Sequence, residues 1–538
     1  MSVEMKDSQP SPEAKRRFLL RGLCGAALIV AGLLMVLPRP LKQRTFQIEA
    51  GGCYLQTTVY GTAAGPEAAE RGTVVLFPGL AANRKIMSYL AEGFALEGLR
   101  VFVPDLPGHG RTEGPFSPAR AEECSENLVH ELRSRGLAPP DRTILAGHSM
   151  GAAIAIRVAA RVPVAGVIAI SPAPMHAAHG VSGEVLLFDS PPALPPHTEI
   201  INGSLEPELM TGNARDLLQP GRDIDSHYDR IPWATHAGLL WRPAVVRLAQ
   251  DWAARVCRLD GQSSPGASAR GASPSSSPDI YRLPSRMRLA GCFIGLWGFF
   301  LIAGPFLREA ASITAADQGE IVPEARAIAW WRATLELVAA GSLVVVLLRY
   351  WKPLRLVRLF EGDYLAGFLL LAGIILIAAH WKRFVPIFNF RSGAAFGAVF
   401  SAVVLFLLFS AWFELSLSEA WLDAARWQRF PLLFIALIPC LTAEEILLGP
   451  PQPKDTWKRV AVAMCYRLVL WLTLLLGILL LHSGEILLLL LAPYFAVLSI
   501  AQRRGMDVVR QVTGSPAAAA LFGAILLAGF CLVIFPLL

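Results

Sequence analysis

The chain has 538 residues, of which 54% are hydrophobic and 17% charged, and its formal net charge is +7. Soluble domains carry about a quarter charged residues, so this composition excludes a wholly soluble protein and indicates that part of the chain lies in a lipid bilayer. Many basic residues flank apolar runs, where they act as topology signals, and we therefore predict no nucleic-acid partner.

The N-terminal segment has the pattern of a membrane anchor. Residues 1–17 are polar and end in three basic residues, and residues 18–37 are apolar except for Arg21. A run of about 20 residues suffices to cross a bilayer as a helix. The alternative is a cleaved signal peptide, but its apolar core is normally about 7–15 residues long, and Pro38-Arg39-Pro40 is a poor cleavage site. We predict an uncleaved transmembrane helix at 18–37.

The next segment, residues 45–258, has the patterning of an α/β domain. Short apolar runs rich in β-branched residues alternate with amphipathic stretches. The predicted elements, in chain order, are strand 73–77, helix 85–96, strand 99–103, helix 122–135, strand 143–146, helix 152–161 and strand 164–170. Strands that alternate with helices favour a mostly parallel sheet covered on both faces.

The central motif of this domain is Gly147-His148-Ser149-Met150-Gly151. It lies between a predicted strand and a predicted helix, which is the context that a G-x-S-x-G nucleophile motif requires. The two glycines allow a strained turn that lifts the serine hydroxyl clear of the sheet. Ser149 is therefore the candidate nucleophile.

Two further turns follow the first two predicted strands. The first is Phe77-Pro78-Gly79-Leu80, and the second begins at Asp105 and reads Asp-Leu-Pro-Gly-His-Gly-Arg-Thr. In a turn of the first kind, the residue after the glycine offers its backbone N–H to an oxyanion, and the amide after the nucleophile is the second donor. Leu80 and Met150 are therefore the candidate oxyanion-hole residues.

These three motifs, in this order and at these spacings, resemble the α/β-hydrolase superfamily, especially its esterase-like and lipase-like members. The resemblance covers about residues 45–258 and implies a serine hydrolase that works through an acyl-enzyme. The family usually has His-Gly at the oxyanion turn, where this chain has Pro78-Gly79. The donor is a backbone amide, so the change does not by itself remove the oxyanion hole.

The resemblance also implies an acid and then a histidine after the serine. Glu206 stands three residues after Gly203, in the family position of the acid, and His236 precedes the predicted helix 243–256, in the position of the base. His236 would take the proton from Ser149 while Glu206 orients and stabilises the imidazole. The alternatives are Glu208, Asp225 and Asp229 for the acid and His227 for the base.

The other histidines and the cysteines suggest no further site. His148 and His109 are typical of packing or orienting residues, and the remaining candidates His176, His179 and His197 lack metal-ligand spacing, so we predict neither a metal nor a cofactor. Three cysteines lie in the soluble part, namely Cys53, Cys124 and Cys257. Their wide spacing predicts buried free residues rather than a disulfide framework. Segment 171–198 is too short for a large helical lid.

A Ser-, Gly- and Pro-rich linker at 261–287 leads to a membrane region at 288–538. Hydropathy predicts eight spans in it, at about 288–306, 333–349, 364–380, 394–412, 430–448, 461–481, 485–500 and 516–537. The basic residues of most short loops place the N-terminus in the cytoplasm and the α/β domain on the non-cytoplasmic face. One loop, with Lys352, Arg355 and Arg358, disagrees with this orientation.

The membrane region carries ionisable residues that are candidates for function because isolated charges in lipid are unfavourable. A Glu444-Glu445 pair on a membrane helix is similar to intramembrane CAAX-type proteases, but Gly449 stands four residues after Glu445 and the expected arginine is absent. We expect instead an ion pair between Glu445 and Arg467, or contact with headgroups.

Three functions are compatible with these features. The first is a membrane-bound serine hydrolase acting on an ester or lipid-like acyl substrate, with peptide and thioester cleavage left open. The second is a transporter or channel with an appended hydrolase domain, although the predicted spans show few polar residues. The third is an inactive binding module on a membrane anchor, which the presence of Ser149, Glu206 and His236 disfavours.

Overall fold

The computed structural model describes most of the chain. The described residues are 12–37, 41–61, 71–175, 187–189, 194–218, 225–257, 283–314, 327–351, 357–387, 392–452, 456–481 and 486–538. His176 and His179, the basic loop residues Lys352 and Arg355, and most of the predicted linker 261–287 lie outside these ranges.

An eight-stranded sheet forms the α/β domain, with strand order β1-β2-β4-β3-β5-β6-β7-β8. The strands are β1 (Gln43–Ala50), β2 (Cys53–Tyr60), β3 (Thr73–Phe77), β4 (Arg100–Pro104), β5 (Thr143–His148), β6 (Gly166–Ile170), β7 (Thr198–Gly203) and β8 (His227–Ile231). β1 and β2 are antiparallel and all strands from β3 onward are parallel. The predicted mostly parallel sheet is therefore confirmed.

Helices cover both faces of this sheet, as the apolar strands require. They are α2 (Ser88–Leu96), α3 (Pro118–Ser134), α4 (Met150–Ala159), α5 (Glu208–Leu217) and α6 (Pro243–Val256). One apolar core lies between the sheet and α3 and α4, and a second lies between the sheet and α2 and α6. The carboxyl ends of β3, β5, β7 and β8 consequently meet at one edge of the sheet, where the predicted site residues lie.

The sequence did not predict the hairpin of β1 and β2 or the edge strand β8. The exposed residues of β1 show why, since only its last residues are buried and it lacks a clear apolar run. β8 has the sequence His-Tyr-Asp-Arg-Ile and is largely solvent-accessible. Edge strands of this kind are defined by their neighbours and carry little periodic signal of their own.

A helical region, residues 287–538, follows the α/β domain. Its helices are α7 (Met287–Thr314), α8 (Trp330–Tyr350), α9 (Gly362–Ala379), α10 (Trp381–Ile387), α11 (Ser392–Ser416), α12 (Ala424–Leu448), α13 (Thr456–Leu481), α14 (Ile486–Thr513) and α15 (Pro516–Ile534). The N-terminal helix α1 (Pro12–Val36) packs along α7 so closely that a Cβ on Gly32 would lie 2.6 Å from the carbonyl oxygen of Gly291. Helix α1 therefore belongs to the same helical bundle.

Among the described residues, eight helices are long and apolar enough to cross a bilayer. They are α1 and seven of the eight helices predicted after the linker, namely α7, α8, α9, α11, α12, α13 and α15. The remaining predicted span, the seventh in chain order at about 485–500, corresponds to the first part of α14, which is not one of them. α14 extends to Thr513, and its last turns carry basic residues that join a buried ionic cluster.

That cluster corrects the expected pairing of Glu445 with Arg467. Nε of Arg467 lies 2.7 Å from Glu444, whereas Glu445 accepts a hydrogen bond from Arg459 at 2.9 Å and lies in an ion pair with Arg503 at 2.6 Å. Glu444 and Glu445 follow each other on α12 and point about 100° apart around the helix, so they face different neighbours. The sequence could not distinguish between these arginines, because it does not show how the helices that carry them are rotated against α12.

The expectation that the soluble cysteines are all free is wrong. Cys53, at the start of β2, and Cys124, on α3, form a disulfide with a Cα–Cα distance of 5.7 Å across a sequence separation of 71. α3 packs on the β1–β2 hairpin, which was absent from the prediction, and only this contact brings the two residues together. Cys257 is buried and free, as expected.

Candidate active site

The nucleophile motif forms a sharp turn between β5 and α4. Ser149 has φ 55° and ψ −120°, a strained conformation for a residue with a side chain, which persists only where the surrounding structure enforces it. The two glycines make this possible, since a Cβ on Gly151 would lie 2.2 Å from the carbonyl oxygen of Phe77 and one on Gly147 would lie 2.2 Å from that of Gly151. The turn thus presents Ser149 at the carboxyl edge of the sheet.

The candidate base and acid are in direct contact. Nδ1 of His236 lies 2.7 Å from Oε1 of Glu206. His236 follows β8 and begins a 3-10 turn at Ala237, whereas Glu206 lies in the turn after β7. These two adjacent strands end at the same edge as β5, which brings all three proposed triad residues to one side of the domain.

A third residue, Ser171, lies between this acid and this base, and the sequence did not indicate it. Its hydroxyl donates to Oε1 of Glu206, and its oxygen lies 2.8 Å from Nδ1 of His236. Ser171 is the first residue after β6, which places it at the carboxyl edge of the sheet. That position directly after a predicted strand is the sequence signal that could have indicated it. Both oxygens lie where they can accept from an N–H at Nδ1, an arrangement that favours the tautomer with Nε2 as the proton acceptor.

The second carboxylate oxygen of Glu206 also accepts hydrogen bonds. Oε2 accepts from the backbone N–H of Gly203 at 2.6 Å and from Nδ2 of Asn202 at 2.9 Å. Burial by itself raises the pKa of this carboxyl, but the hydrogen bonds from His236, Ser171 and Gly203 outweigh it and bring the pKa of Glu206 below its ordinary value. Glu206 is therefore a carboxylate at neutral pH.

His148 supports the candidate base from the other side. Its Nε2 lies 3.0 Å from the carbonyl oxygen of His236, and the two rings are 4.6 Å apart. Burial, and then the neighbouring imidazole, lower the pKa of His148 to about 3. His148 is consequently neutral at any physiological pH, which fits a residue that orients the loop carrying His236.

The candidate oxyanion donors are the amides of Leu80 and Met150, and the residues that precede them, Gly79 and Ser149, lie in close contact. Gly79 packs on the nucleophile, since a Cβ there would lie 3.1 Å from Cβ of Ser149. The turn after it closes with a hydrogen bond from the N–H of Ala82 to the carbonyl oxygen of Gly79 at 3.1 Å. Met150 is the first residue of α4, a position where helix geometry gives the N–H no acceptor within the helix.

The alternative acids and bases lie in other contacts. Glu208 pairs with Arg215, and Asp225 lies 3.7 Å from His197. His227 packs its ring 5.2 Å from that of Trp252. His109, in the Gly-His-Gly turn, has its Nδ1 2.9 Å from the carbonyl oxygen of Pro107, and burial lowers the pKa of His109 to about 4. Glu206, by contrast, lies in direct contact with His236.

Comparison with known proteins assigns the fold and the family. The family model described as "Alpha/beta hydrolase family" matches residues 74–346, just over half of the 538 residues. The chain belongs to the alpha/beta hydrolase family. The match extends past the α/β domain into the helical region; helices α7 to α15 of that region, and α1, are additional to the sheet and its covering helices.

The curated relatives of this chain are lipases. Lipase 1 of Psychrobacter immobilis is 30% identical over 159 residues, which are 27% of this chain and 49% of that protein. Monoacylglycerol lipase of Mycolicibacterium smegmatis is 29% identical over 206 residues, covering 36% of this chain and 68% of that protein. The chain thus spans about half the length of the first of these relatives.

Solved structures that resemble this chain include esterases. A hyperthermophilic esterase from the archaeon Pyrobaculum calidifontis is 16% identical, with a TM-score of 0.33, 46% of this chain covered and 98% of that one. The α/β hydrolase GrgF from Penicillium is 12% identical, with a TM-score of 0.34, 40% of this chain covered and 100% of that one.

Proposed function

We propose that this protein is a membrane-bound serine hydrolase that cleaves an ester or lipid-like acyl substrate through Ser149, His236 and Glu206. The observation that carries the proposal is the hydrogen-bonded chain from Glu206 to Nδ1 of His236, located at the sheet edge that also presents the strained Ser149. The names of the lipase relatives support an ester substrate. Peptide and thioester cleavage are compatible with the same residues.

The proposed reaction has two half-reactions. Oγ of Ser149 attacks the acyl carbon while Nε2 of His236 takes the hydroxyl proton, and the C–O bond to the alcohol breaks as the alcohol receives that proton. Water then attacks the acyl-enzyme, gives its proton to His236, and releases the acid as Ser149 regains the proton. Glu206, with its lowered pKa, stabilises the imidazolium in both steps.

The amides of Leu80 and Met150 would bind the oxyanion that forms in each half-reaction. Such donors act where charge develops, and each is typically worth about 3–4 kcal/mol. Both positions are set by rigid elements, since Met150 begins α4 and Gly79 packs on Ser149. A hole that is formed before substrate binds needs no reorganisation during the reaction.

We further propose that the α/β domain lies on the non-cytoplasmic face of the membrane. The distribution of basic residues supports this orientation. The disulfide between Cys53 and Cys124 supports it independently, because disulfides persist in oxidising compartments and are rare in the cytosol. The eight long apolar helices supply the candidate spans.

The test is hydrolysis of p-nitrophenyl esters of increasing chain length by the purified full-length protein in detergent. The proposal expects turnover by the wild type, loss of at least about 10³-fold in Ser149→Ala, and no loss in Ser134→Ala, whose exposed hydroxyl lies at the end of α3. Turnover that persists in Ser149→Ala would refute the assignment of the nucleophile.

A further inference from the structure

The turn that carries the candidate oxyanion donor, residues 79–85, is held by the helical region at three consecutive residues. We call this segment the oxyanion turn. The contacts join Asn83 to Ser418 at 2.8 Å, Arg84 to Glu419, and Lys85 to Glu414 at 2.6 Å. The three partners lie in the last turn of α11 and in the connection from α11 to α12. This connecting segment, residues 414–419, is called the clamp segment below.

Charge is balanced across this junction. Three cations come from the α/β domain and meet three carboxylates, two of which belong to the clamp segment. The cations are Arg84, Lys85 and Arg111, and the carboxylates are Asp105, Glu414 and Glu419. Arg111 forms ion pairs with both carboxylates of the clamp segment, at 2.9 Å from Glu414 and 3.3 Å from Glu419.

The centre of this network is buried. The side chains of Arg84, Asp105 and Glu419 are 5%, 0% and 4% exposed. The backbone N–H of Arg84 also donates to Oδ1 of Asp105 at 2.7 Å, so the network holds the main chain of the turn as well as its side chains. Removing one charge from a buried pair is strongly unfavourable, and the remaining groups are expected to rearrange.

Apolar contacts reinforce the ionic ones. Leu80 and Ala81 pack against the buried apolar core of the helical region, and Leu80 also packs against the core of the α/β domain. Ala81 has φ 61°, in the left-handed region that alanine rarely adopts, so the surrounding contacts must maintain this conformation. Part of that surrounding structure comes from the helical region and not from the hydrolase fold itself.

We propose that the clamp segment is a positioning element of the active site, with Glu419 acting through Arg84 to fix the oxyanion turn. The helical region then contributes to the geometry of the active site in addition to anchoring the α/β domain. This inference rests on the proposed serine-hydrolase function. Catalytic geometry is sensitive at this level, because misplacement of a catalytic group by about 1 Å can lower the rate about 100-fold.

The test uses the full-length protein in detergent, with the Ser149 concentration determined by end-point titration with a fluorophosphonate. Turnover of a p-nitrophenyl ester is then expressed per titrated serine, so misfolded protein does not enter the value. We expect Glu419→Gln to lower kcat per titrated serine about 10-fold while KM stays within about 3-fold, because the turn contacts the transition state more than the substrate. Glu419→Asp, which keeps the charge, should recover part of the loss.

A matched control is Glu336→Gln, which breaks an ion pair at the other end of the bundle. Glu336 lies 2.7 Å from His380, and His380 follows α9 at the end opposite to Phe360, whose ring contacts Phe116 of the α/β domain. This variant should leave kcat per titrated serine unchanged. A purely structural role for Glu419 would lower the titratable amount and leave the turnover per titrated serine unchanged, which would overturn the proposal.

A second variant covers the case in which Glu419→Gln does not accumulate. Glu414 is 15% exposed and pairs with Lys85 at the rim, so Glu414→Gln should fold and lower kcat per titrated serine about 3-fold. An unchanged value there would also overturn the proposal. If the wild type neither reacts with the fluorophosphonate nor hydrolyses esters, the proposed function itself fails, and the inference about the clamp segment fails with it.

Discussion

Nδ1 of His236 lies 2.7 Å from Oε1 of Glu206, although the two residues are 30 positions apart in the sequence. The contact is possible because β7 and β8 are neighbours in the sheet and each residue lies in the loop after its strand. Both oxygens of Glu206 have partners besides His236, from Ser171 and from the Asn202–Gly203 segment. The carboxylate is therefore fixed from several directions.

The first prediction concerns this carboxylate. Glu206→Gln should lower kcat about 10³-fold to 10⁴-fold, because a neutral amide neither stabilises the imidazolium nor enforces the required tautomer. Ester hydrolysis per titrated serine measures the effect. Asp225→Asn, which changes an acid after β7 that lies beside His197, is the matched control. Comparable losses in both variants would contradict the assignment of Glu206.

Ser171 gives a second prediction. Ser171→Ala removes a hydroxyl that donates to Glu206 and lies 2.8 Å from His236, and it leaves the direct contact of those two residues in place. We expect a fall in kcat of about 5-fold to 10-fold, which corresponds to the roughly 1–1.5 kcal/mol of one buried hydrogen bond. Steady-state kinetics should show KM nearly unchanged. A loss as large as that of Glu206→Gln would mean that Ser171 is itself essential to the proton relay.

Much of the site could be predicted because its residues follow strands with strong apolar patterns. β3, β5 and β6 are fully buried, and the motifs at Gly79 and Ser149 follow β3 and β5 directly. Helix α6 has the predicted bounds because Pro243 marks its start. These signals are local, which is why a single sequence carries them.

The missed features depend on tertiary contacts. The disulfide needs the β1–β2 hairpin beside α3, and Ser171 becomes relevant only when β6 lies beside β7. The pairing of Glu445 with Arg459 and Arg503 depends on how α12, α13 and α14 are rotated against each other. Hydropathy locates helices and says nothing about their rotation.

The disulfide makes a third prediction, about both stability and compartment. Replacing Cys53 and Cys124 by alanine should destabilise the α/β domain by about 4 kcal/mol, since the closed loop spans a sequence separation of 71. Cys257→Ala, at a buried free cysteine of the same domain, should have a smaller effect. Thermal denaturation followed through ester hydrolysis compares the variants.

The same pair reports the orientation of the domain. In cells whose thiols are blocked before lysis, Cys53 and Cys124 should react with a maleimide only after reduction. Absence of labelling after reduction would mean that both thiols were free and had been blocked in the cells, which would place the α/β domain in a reducing compartment and contradict the proposed non-cytoplasmic location.

Glu199 gives a prediction about pH. Burial, aided by the nearby carboxylate of Asp229, raises the pKa of Glu199 from 4.5 to about 8. Between these values the folded protein holds a proton that the unfolded chain has released, so stability falls as pH rises through this window. Glu199→Gln removes the titrating group, so its thermal stability should fall less than that of the wild type as the pH is raised from 6 to 9.

The size of this effect is measurable by thermal denaturation in detergent. A difference of about 1 kcal/mol shifts the midpoint of a domain this size by about 2–4 °C. Glu123→Gln, at an exposed position of α3, is the control and should follow the wild type. Parallel pH profiles for the wild type and Glu199→Gln would show that Glu199 does not titrate in this window.

The central claim is that Ser149 is activated by His236, and the most direct test is labelling of membranes with a fluorophosphonate probe. We expect labelling of the wild type and of Ser134→Ala, and loss of labelling in Ser149→Ala and His236→Ala at equal protein levels. A well-folded wild type that does not react, or a Ser149→Ala variant that reacts as the wild type does, would contradict the account.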